Sequence, residues 1–317
     1  MTSEQFKHVA VIGAGVMGHA IAQVFARAGS ACHLVDRDES ILRRAMDLIE
    51  GNLETMSEFG LVRIEEIPSI LARVHPTTDL AVAVKGVDFA LECVTEVPEV
   101  KKSLFAELEA LCPREAILAS NTSSLDIFSL VDLKIPERLV VAHWFAPPHI
   151  IPLVEVAPGS ATSPDNLART VRLLEGLGKR VVTMKTHVKD YIVNRLQRAI
   201  QAAAWEMIDN GWASPEDIDL AIKTSLGIRL PVVGVMQSMD FTGLDLLLDI
   251  ARGRGESRPY IEEKVRQGHL GAKTSKGIYD YRGRTEKEIL RSRDRFYLSL
   301  LAHLEHLRAF NPIGVED

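Results

Sequence analysis

"HVAVIGAGVMGHAIAQVFARAG", residues 8–29, begins as a buried strand and ends as an apolar helix, with a glycine turn between them. Gly13, Gly15 and Gly18 stand at GxGxxG spacing, and Gly29 stops the helix. Each glycine has a physical task. Gly13 permits the tight turn, Gly15 lets a pyrophosphate approach the backbone, and Gly18 lets helix and strand pack closely. The helix N-terminus attracts phosphate. The next strand, "ACHLVD", ends on Asp36, eighteen residues after Gly18. Strand, glycine turn, helix and acid together make a dinucleotide-binding fingerprint. Asp36 accepts hydrogen bonds from ribose hydroxyls and repels a 2′-phosphate, which favours NAD over NADP. Arg37 works against that preference. FAD and a purely structural glycine turn are the other readings of the same residues.

Strands and helices continue to alternate. "VDFALECV" (87–94), "AILASNT" (116–122), "LVVAHWF" (139–145), "IPLVEV" (151–156) and "RVVTMK" (180–185) read as strands. Residues 39–59, 100–112 and 163–178 read as helices. This alternation predicts an α/β fold, a Rossmann-like, doubly wound, mostly parallel sheet. Strand signal stops near residue 188. In "YIVNRLQRAIQAAAWEMIDNG", Val193, Leu196, Ile200, Ala203 and Met207 share one helical face, and Gly211 ends the helix. Ser214 and Pro215 then open another helix. The expected organisation is a nucleotide-binding domain over 1–187 and an all-helical domain over 188–317.

The length of 317 residues suits two domains. A net charge of −6 without a basic block excludes duplex nucleic acid and anionic membrane as expected partners. The apolar run from Val9 to Ala26 contains His19, Gln23 and the glycine motif, so it is not read as a membrane span. Cys32, Cys93 and Cys112 are odd in number and widely spaced. They read as reduced thiols, and no metal site is expected. "MTSEQFKH" has no signal-peptide core, so the expected compartment is the cytoplasm.

"HWFAPPHIIPLVEV", residues 143–156, carries the chemistry. Glu155 lies inside an apolar strand, where a charge is costly without a partner. His143 ends the preceding strand. A histidine held by a carboxylate is a suitable base for removing a hydroxyl proton while a hydride leaves to a nicotinamide. A structural histidine and a glutamate on a sheet edge are the alternatives that the pattern leaves open.

The chain resembles the 3-hydroxyacyl-CoA dehydrogenase family over nearly its whole length, in ordered blocks. "VAVIGAGVMGHAIA" resembles its dinucleotide turn, and "ECVTEVPEVKKSLFAEL" its Glu-x₄-Lys block. "ASNTSSL" resembles its central strand end, and "HWFAPPHIIPLVEV" its His-Phe-Phe-Asn-Pro block with the twelve-residue step from His to Glu. "IVNRL" resembles the start of its helical domain and "GHLGAKTSKGIYDY" its C-terminal signature. The resemblance implies that His143 is the base in oxidation and the acid in reduction, oriented by Glu155. It implies that Ser123 hydrogen-bonds the reacting oxygen and that Asn194 approaches it from the second domain. It implies cofactor contacts from Gly13, Gly15, Val16, Met17, Gly18, Asp36, Glu96, Lys101 and Asn121. It further implies NAD as cofactor, a role in fatty acid metabolism and a homodimer formed through the helical half. Bland roles exist for some of these residues: Ser123 and Asn194 as caps, Lys101 as a solvated helix residue.

Several positions depart from the family's pattern. Ala146 stands where the family has an asparagine, and Trp144 replaces a phenylalanine. Lys189-Asp190-Tyr191 stands for its Pro-Gly-Phe. The segment 52–74, where acyl-CoA members tend to carry lysines, is acidic and holds only Arg63 and Arg73. Residues 92–105 and 194–222 look closer to the branch of lambda-crystallin and carnitine dehydrogenase, which act on free hydroxy acids. The expectation is an NAD-dependent dehydrogenase of a free 3-hydroxy acid or a 3-hydroxyacyl-CoA, with 3-hydroxybutyryl-CoA dehydrogenase proper as the alternative. Lys189, Arg195 or Arg229 would meet a substrate carboxylate. The rivals are an NAD(H)-binding sensor or crystallin-like structural protein, and a 6-phosphogluconate-type enzyme relying on a lysine.

Overall fold

The computed structural model describes residues 6–312. Residues 1–5 of the leading "MTSEQFKH" stretch, read above for a signal peptide, therefore lie outside the described residues. Contacts divide the chain into two compact units, one through Ala199 and one from Ile200.

The first unit is built on eight strands: β1 (His8–Ile12), β2 (Ala31–Val35), β3 (Val74–Thr77), β4 (Phe89–Glu92), β5 (Ile117–Ser120), β6 (Leu139–Trp144), β7 (Leu153–Pro158) and β8 (Arg180–Thr183). They form one sheet in the order β3-β2-β1-β4-β5-β6-β7-β8. The first six run parallel, and β7 returns antiparallel to β6. The order reverses direction at β1, so β1 and β4 flank the crevice where such sheets bind ligands. The connecting helices are α1 (Gly18–Arg27), α2 (Glu39–Glu58), α3 (Ile67–Leu71), α4 (Leu80–Ala83), α5 (Pro98–Leu111), α6 (Ile127–Leu130) and α7 (Pro164–Gly176).

The strand residues explain the two layers. Val9 and Val11 of β1 join an apolar cluster with Phe25, Ile49 and Leu53 on one face. Ala10 and Ile12 join Leu104, Phe105 and Leu108 on the other. A sheet covered on both faces needs continuous apolar strands, which these are. The sequence patterns above do not anticipate β3. "VHPT" is short, half exposed and carries Pro76, so it has no period of its own. It exists because β2 offers an open edge, with Cys32 opposite Val74, and proline is tolerated there.

The second unit is helical. Helix α8 (Val193–Asp209) enters it, followed by α9 (Pro215–Ala221), α10 (Gly227–Thr242), α11 (Leu244–Gly253), α12 (Pro259–Arg266) and α13 (Glu286–His306). Ser214 caps α9 in a capping box with Asp217. Buried Asp240 organises the turn at 271–281. Its Oδ1 accepts from the Ile278 N–H at 2.8 Å, and its Oδ2 from the Tyr279 N–H and Tyr281 hydroxyl at 2.9 Å each. Gly271 and Gly277 fit only as glycines, since a Cβ would lie 2.2 and 2.1 Å from Asp240 atoms. The "GHLGAKTSKGIYDY" block is thus a backbone wrapped around one carboxylate. Among the described residues no helix is long and apolar enough to cross a membrane, and no cluster of metal-ligating side chains occurs.

Candidate active site

The turn after β1 is sterically enforced. Gly13 has φ 103°, and a Cβ there would meet the Cys93 carbonyl at 2.6 Å. A Cβ on Gly18 would meet the Gly13 carbonyl at 1.7 Å. Gly15 is different: nothing lies within 4 Å of its missing Cβ. Val16, 78% exposed, and Met17 complete the turn ahead of α1. Asp36 Oδ2 accepts from the Ala14 N–H at 2.8 Å, and Oδ1 from the Arg37 N–H at 2.8 Å, so each oxygen keeps a lone pair for a ribose hydroxyl. A cleft of 510 Å³ is lined by Gly13, Gly15, Asp36, Thr78, Val94 and Glu107, among others. These groups fit a dinucleotide: open backbone for phosphate, and a carboxylate for the ribose.

β6 and β7 pair antiparallel with His143 directly opposite Glu155. Both side chains are buried, at 3% and 1% exposure. His143 Nδ1 lies 3.1 Å from Glu155 Oε2. A carboxylate accepts, so in the neutral imidazole Nδ1 is the ring nitrogen that carries the proton and Nε2 the one that keeps its lone pair. Glu155 Oε1 accepts from the Ile192 and Val193 N–H groups at 3.1 and 3.0 Å. These amides open α8, where the helix dipole favours a negative charge. Glu155 is therefore fully partnered, and the need for a partner read from the sequence is met by His143 and a helix start together. By contacts, Asn194 in the first turn of α8 belongs to the first unit rather than the second, because Glu155 anchors that turn.

The loop between the two strands is pinned. Lys179 Nζ donates to the Pro148 carbonyl at 2.5 Å and the Ile151 carbonyl at 2.9 Å, and sits 5.0 Å over the Trp144 ring. Asn121 Oδ1 accepts from the Trp144 N–H at 2.8 Å, tying the ends of β5 and β6. Ala146, at the position of the missing asparagine, is exposed.

Ser123 is exposed on the loop after β5. Glu96 holds that loop: Oε1 accepts from the Thr122 hydroxyl at 2.5 Å and from the Ser123 and Ser124 N–H groups at 3.0 and 3.2 Å. Burial pushes the Glu96 carboxyl up, but the Thr122 bond and the Lys101 charge outweigh it and hold it below the usual glutamate range. Lys101 is neither solvated nor free. It is 1% exposed and bridges Glu92 Oε1 at 2.5 Å and Glu96 Oε2 at 3.1 Å, with the Val94 carbonyl at 3.5 Å. No side-chain hydrogen bond joins Ser123 or Asn194 to His143 among the described residues.

Sequence reasoning missed Glu92 and Tyr191. Glu92 lies in the fully buried strand "FALE", and its Oε2 accepts from the Ser120 hydroxyl at 2.6 Å. The rule that exposed Glu155, a charge inside an apolar strand, applies equally to Glu92. Tyr191 is 1% exposed, its ring centroid 4.9 Å from that of His143, and its hydroxyl has no hydrogen-bond partner among the described residues. Burial, with Glu96 and Glu155 nearby, pushes its phenol up, so it stays protonated. Asp190 and Tyr191 have φ of 68° and 48°, and Asp190 pairs with Arg198 at 3.2 Å. The left-handed backbone explains why a glycine suits position 190 in relatives with the Pro-Gly-Phe pattern. Lys189 and Arg195 are exposed, and Arg229 donates to the Ser225 hydroxyl at 3.2 Å.

Residues 8–187 match the family "3-hydroxyacyl-CoA dehydrogenase, NAD binding domain", and residues 191–281 match "3-hydroxyacyl-CoA dehydrogenase, C-terminal domain". The 5-formyl-3-hydroxy-2-methylpyridine 4-carboxylate 5-dehydrogenase of Mesorhizobium japonicum is 29% identical, covering 94% of this chain and 98% of its own. The mitochondrial hydroxyacyl-coenzyme A dehydrogenase of Sus scrofa is 34% identical, covering 87% and 91%. The crystal structure of a 3-hydroxyacyl-CoA dehydrogenase from Archaeoglobus fulgidus superposes with a TM-score of 0.77 at 31% identity, covering 94% and 99%.

Proposed function

The chain belongs to the 3-hydroxyacyl-CoA dehydrogenase family and is an NAD-dependent oxidoreductase, and from that premise we propose that it interconverts a 3-hydroxy and a 3-oxo acyl compound through a His143–Glu155 proton-transfer pair. The observation that carries this reading is the 3.1 Å contact between His143 Nδ1 and a Glu155 whose other oxygen is already taken by two amides. With Nδ1 committed, His143 Nε2 takes the hydroxyl proton in oxidation and returns it in reduction. Glu155 stabilises the imidazolium that forms between these steps. Ser123 donates to the reacting oxygen, and the Asn194 amide supports the same atom. NAD would supply the hydride acceptor. Gly13, Gly15, Val16, Met17 and Gly18 would present backbone to its phosphates, Asp36 would hold its ribose, and Asn121 and Glu96 would contact it as well.

We favour a free 3-hydroxy acid over a CoA thioester. In the acidic segment 52–74 both arginines are engaged: Arg63 with Glu66 at 2.6 Å, and Arg73 with the Ala26 carbonyl at 3.3 Å. That leaves no idle cation there for a CoA phosphate. The Mesorhizobium relative is named for a free carboxylate substrate, which fits the same preference. Lys189 and Arg195, exposed and without side-chain partners among the described residues, are the candidates for the substrate carboxylate. The test is NADH formation, as kcat/KM, with free 3-hydroxybutyrate, carnitine, gulonate and 3-hydroxybutyryl-CoA. Higher values for a free acid are expected. A preference for the thioester overturns the substrate assignment, and NADH binding without any turnover overturns the enzymatic one.

A homodimer is part of the proposal. Helix α8 buries none of its residues, and Leu196, Ile200 and Met207 on its apolar face are 47%, 45% and 40% exposed. An amphipathic helix with an uncovered apolar stripe is explained by a partner surface. The three cysteines are free thiols, which suits a reducing compartment such as the cytoplasm.

A further inference from the structure

His143 is enclosed by two aromatic rings as well as by Glu155. The Phe145 ring stands at 66° to the imidazole, with centroids 4.6 Å apart. The Tyr191 ring lies at 36° to it, with centroids 4.9 Å apart. Beyond Tyr191, the His187 ring meets the phenol edge-on at 5.7 Å. Tyr191 is buried and belongs to the apolar layer that contains Val141 of β6 and Ala157 of β7. Its hydroxyl makes no hydrogen bond among the described residues, so what it presents to His143 is a ring.

The backbone that carries this ring is strained. Asp190 and Tyr191 have left-handed φ of 68° and 48°, a conformation that a bulky side chain rarely takes. Local contacts hold it there: the Tyr191 N–H donates to the Val188 carbonyl at 3.0 Å, and Asp190 pairs with Arg198 at 3.2 Å. Strain of this kind persists only where the surroundings over-determine it, and it concentrates at functional sites. Turning the chain here sets the Tyr191 ring against His143 and sends the next two amides, of Ile192 and Val193, onto Glu155 Oε1. One turn therefore touches both members of the pair.

In oxidation Nε2 receives a proton, and the buried imidazole becomes a cation. A cation is attracted to an aromatic face within about 6 Å of the ring centroid. Glu155 answers that charge at Nδ1. The Tyr191 ring answers it from the side without adding a group that titrates, because burial and the nearby carboxylates keep the phenol protonated. Facing the cluster are Glu155 on β7, Glu92 at the end of β4 and Glu96 on the loop after it, both paired with Lys101. Asp126 ahead of α6, 3.7 Å from His187, and the Asp190–Arg198 pair complete the set. We infer that the Asp190–Tyr191 turn is an aromatic clamp on the base, with Tyr191 a positioning residue that fixes the His143 ring and stabilises its protonated form. Phe145 is the second wall. The clamp rests on the reading of His143 as the base.

The test follows oxidation of the most active of the four substrates named above as a function of pH. Leucine at position 191 keeps the space apolar but has no π face. Tyr191→Leu is expected to lower kcat about tenfold. It is also expected to move the rise of kcat/KM with pH to lower pH, by about half a pH unit or more. The direction follows from the charge: without the ring the imidazolium is less stable, so the neutral base persists to lower pH. The NADH Kd is expected to stay within about twofold of wild type. Restoring the ring in Tyr191→Phe is expected to recover both kcat and the profile. Phe145→Leu, at a half-buried position, is expected to move the profile in the same direction, and it decides the matter if Tyr191→Leu does not fold. An unmoved profile in Tyr191→Leu, with or without a loss of kcat, overturns the clamp. So does a Tyr191→Phe variant as impaired as Tyr191→Leu, because the hydroxyl would then be the working group. A loss under about tenfold in His143→Ala removes the base itself, whatever the Tyr191 variants do.

Discussion

Glu155 and Glu92 each sit in a strand whose remaining residues are apolar, and each is stabilised by a different neighbour. Glu155 finds His143 across an antiparallel pair joined by a short loop, so the partnership is legible from twelve residues of sequence. Glu92 finds Lys101 on the following helix and Ser120 on the next strand, and only the folded register brings those together. Replacing Glu155 with Gln keeps the shape and removes the charge. We expect kcat to fall on the order of 10-fold or more, with an altered pH–rate profile and unchanged NADH affinity; an unaltered profile would refute the pairing. His143→Ala is expected to lose on the order of 10²-fold, and a loss under about tenfold would favour a lysine-dependent mechanism instead. Glu96 adds a pH signature. Its carboxyl is held below the ordinary value, so its contribution to stability is present above the unfolded value of 4.5 and is lost as pH falls further, through the folded one. The Tm gap between wild type and Glu96→Gln is therefore expected to be flat near neutrality and to close below pH 4.5. At position 190 the backbone is left-handed. Asp190→Gly is expected to stay within about 1 kcal/mol of wild type, whereas Asp190→Val is expected to lose a further 1–2 kcal/mol, roughly, from steric clash, both read by chemical denaturation.

Within the elements, the turn between β1 and α1 separates folding from binding. Gly13 and Gly18 are glycines because backbone carbonyls stand where a Cβ would go; Gly15 has open space. Gly13→Ala and Gly18→Ala are expected to lower Tm by several degrees or prevent folding. Gly15→Ala is expected to leave Tm unchanged and weaken NADH binding about tenfold or more, because its methyl group faces the phosphate approach. Equal Tm losses in all three variants would remove that distinction. The motif itself was legible because its spacing is local. The edge strand β3 was not, since its four residues hold no period and borrow their conformation from β2. Helix α8 was legible as an element with one apolar face, and Leu196, Ile200 and Met207 on that face are exposed.

For the whole molecule, the uncovered face of α8 carries the assembly prediction. Ile200→Asp places a charge in the middle of that stripe. Sedimentation is expected to show a dimer for wild type and a monomer for the variant, and a monomeric wild type would refute the dimer. The amino-acid sequence by itself determined the alternation of strands and helices, the dinucleotide turn and the switch to an all-helical second half, and it singled out His143 and Glu155 as candidates for a pair. Those features depend on spacings of a few residues, which short-range sterics and side-chain periodicity impose. Only the tertiary structure decided that β7 reverses, that β3 completes the sheet, that Lys101 is buried between two carboxylates, and that the first turn of α8 is anchored to the sheet unit through Glu155. A buried charge takes whichever partner the strand register brings within about 3 Å, and register is a property of distant segments, not of the residues beside the charge in sequence.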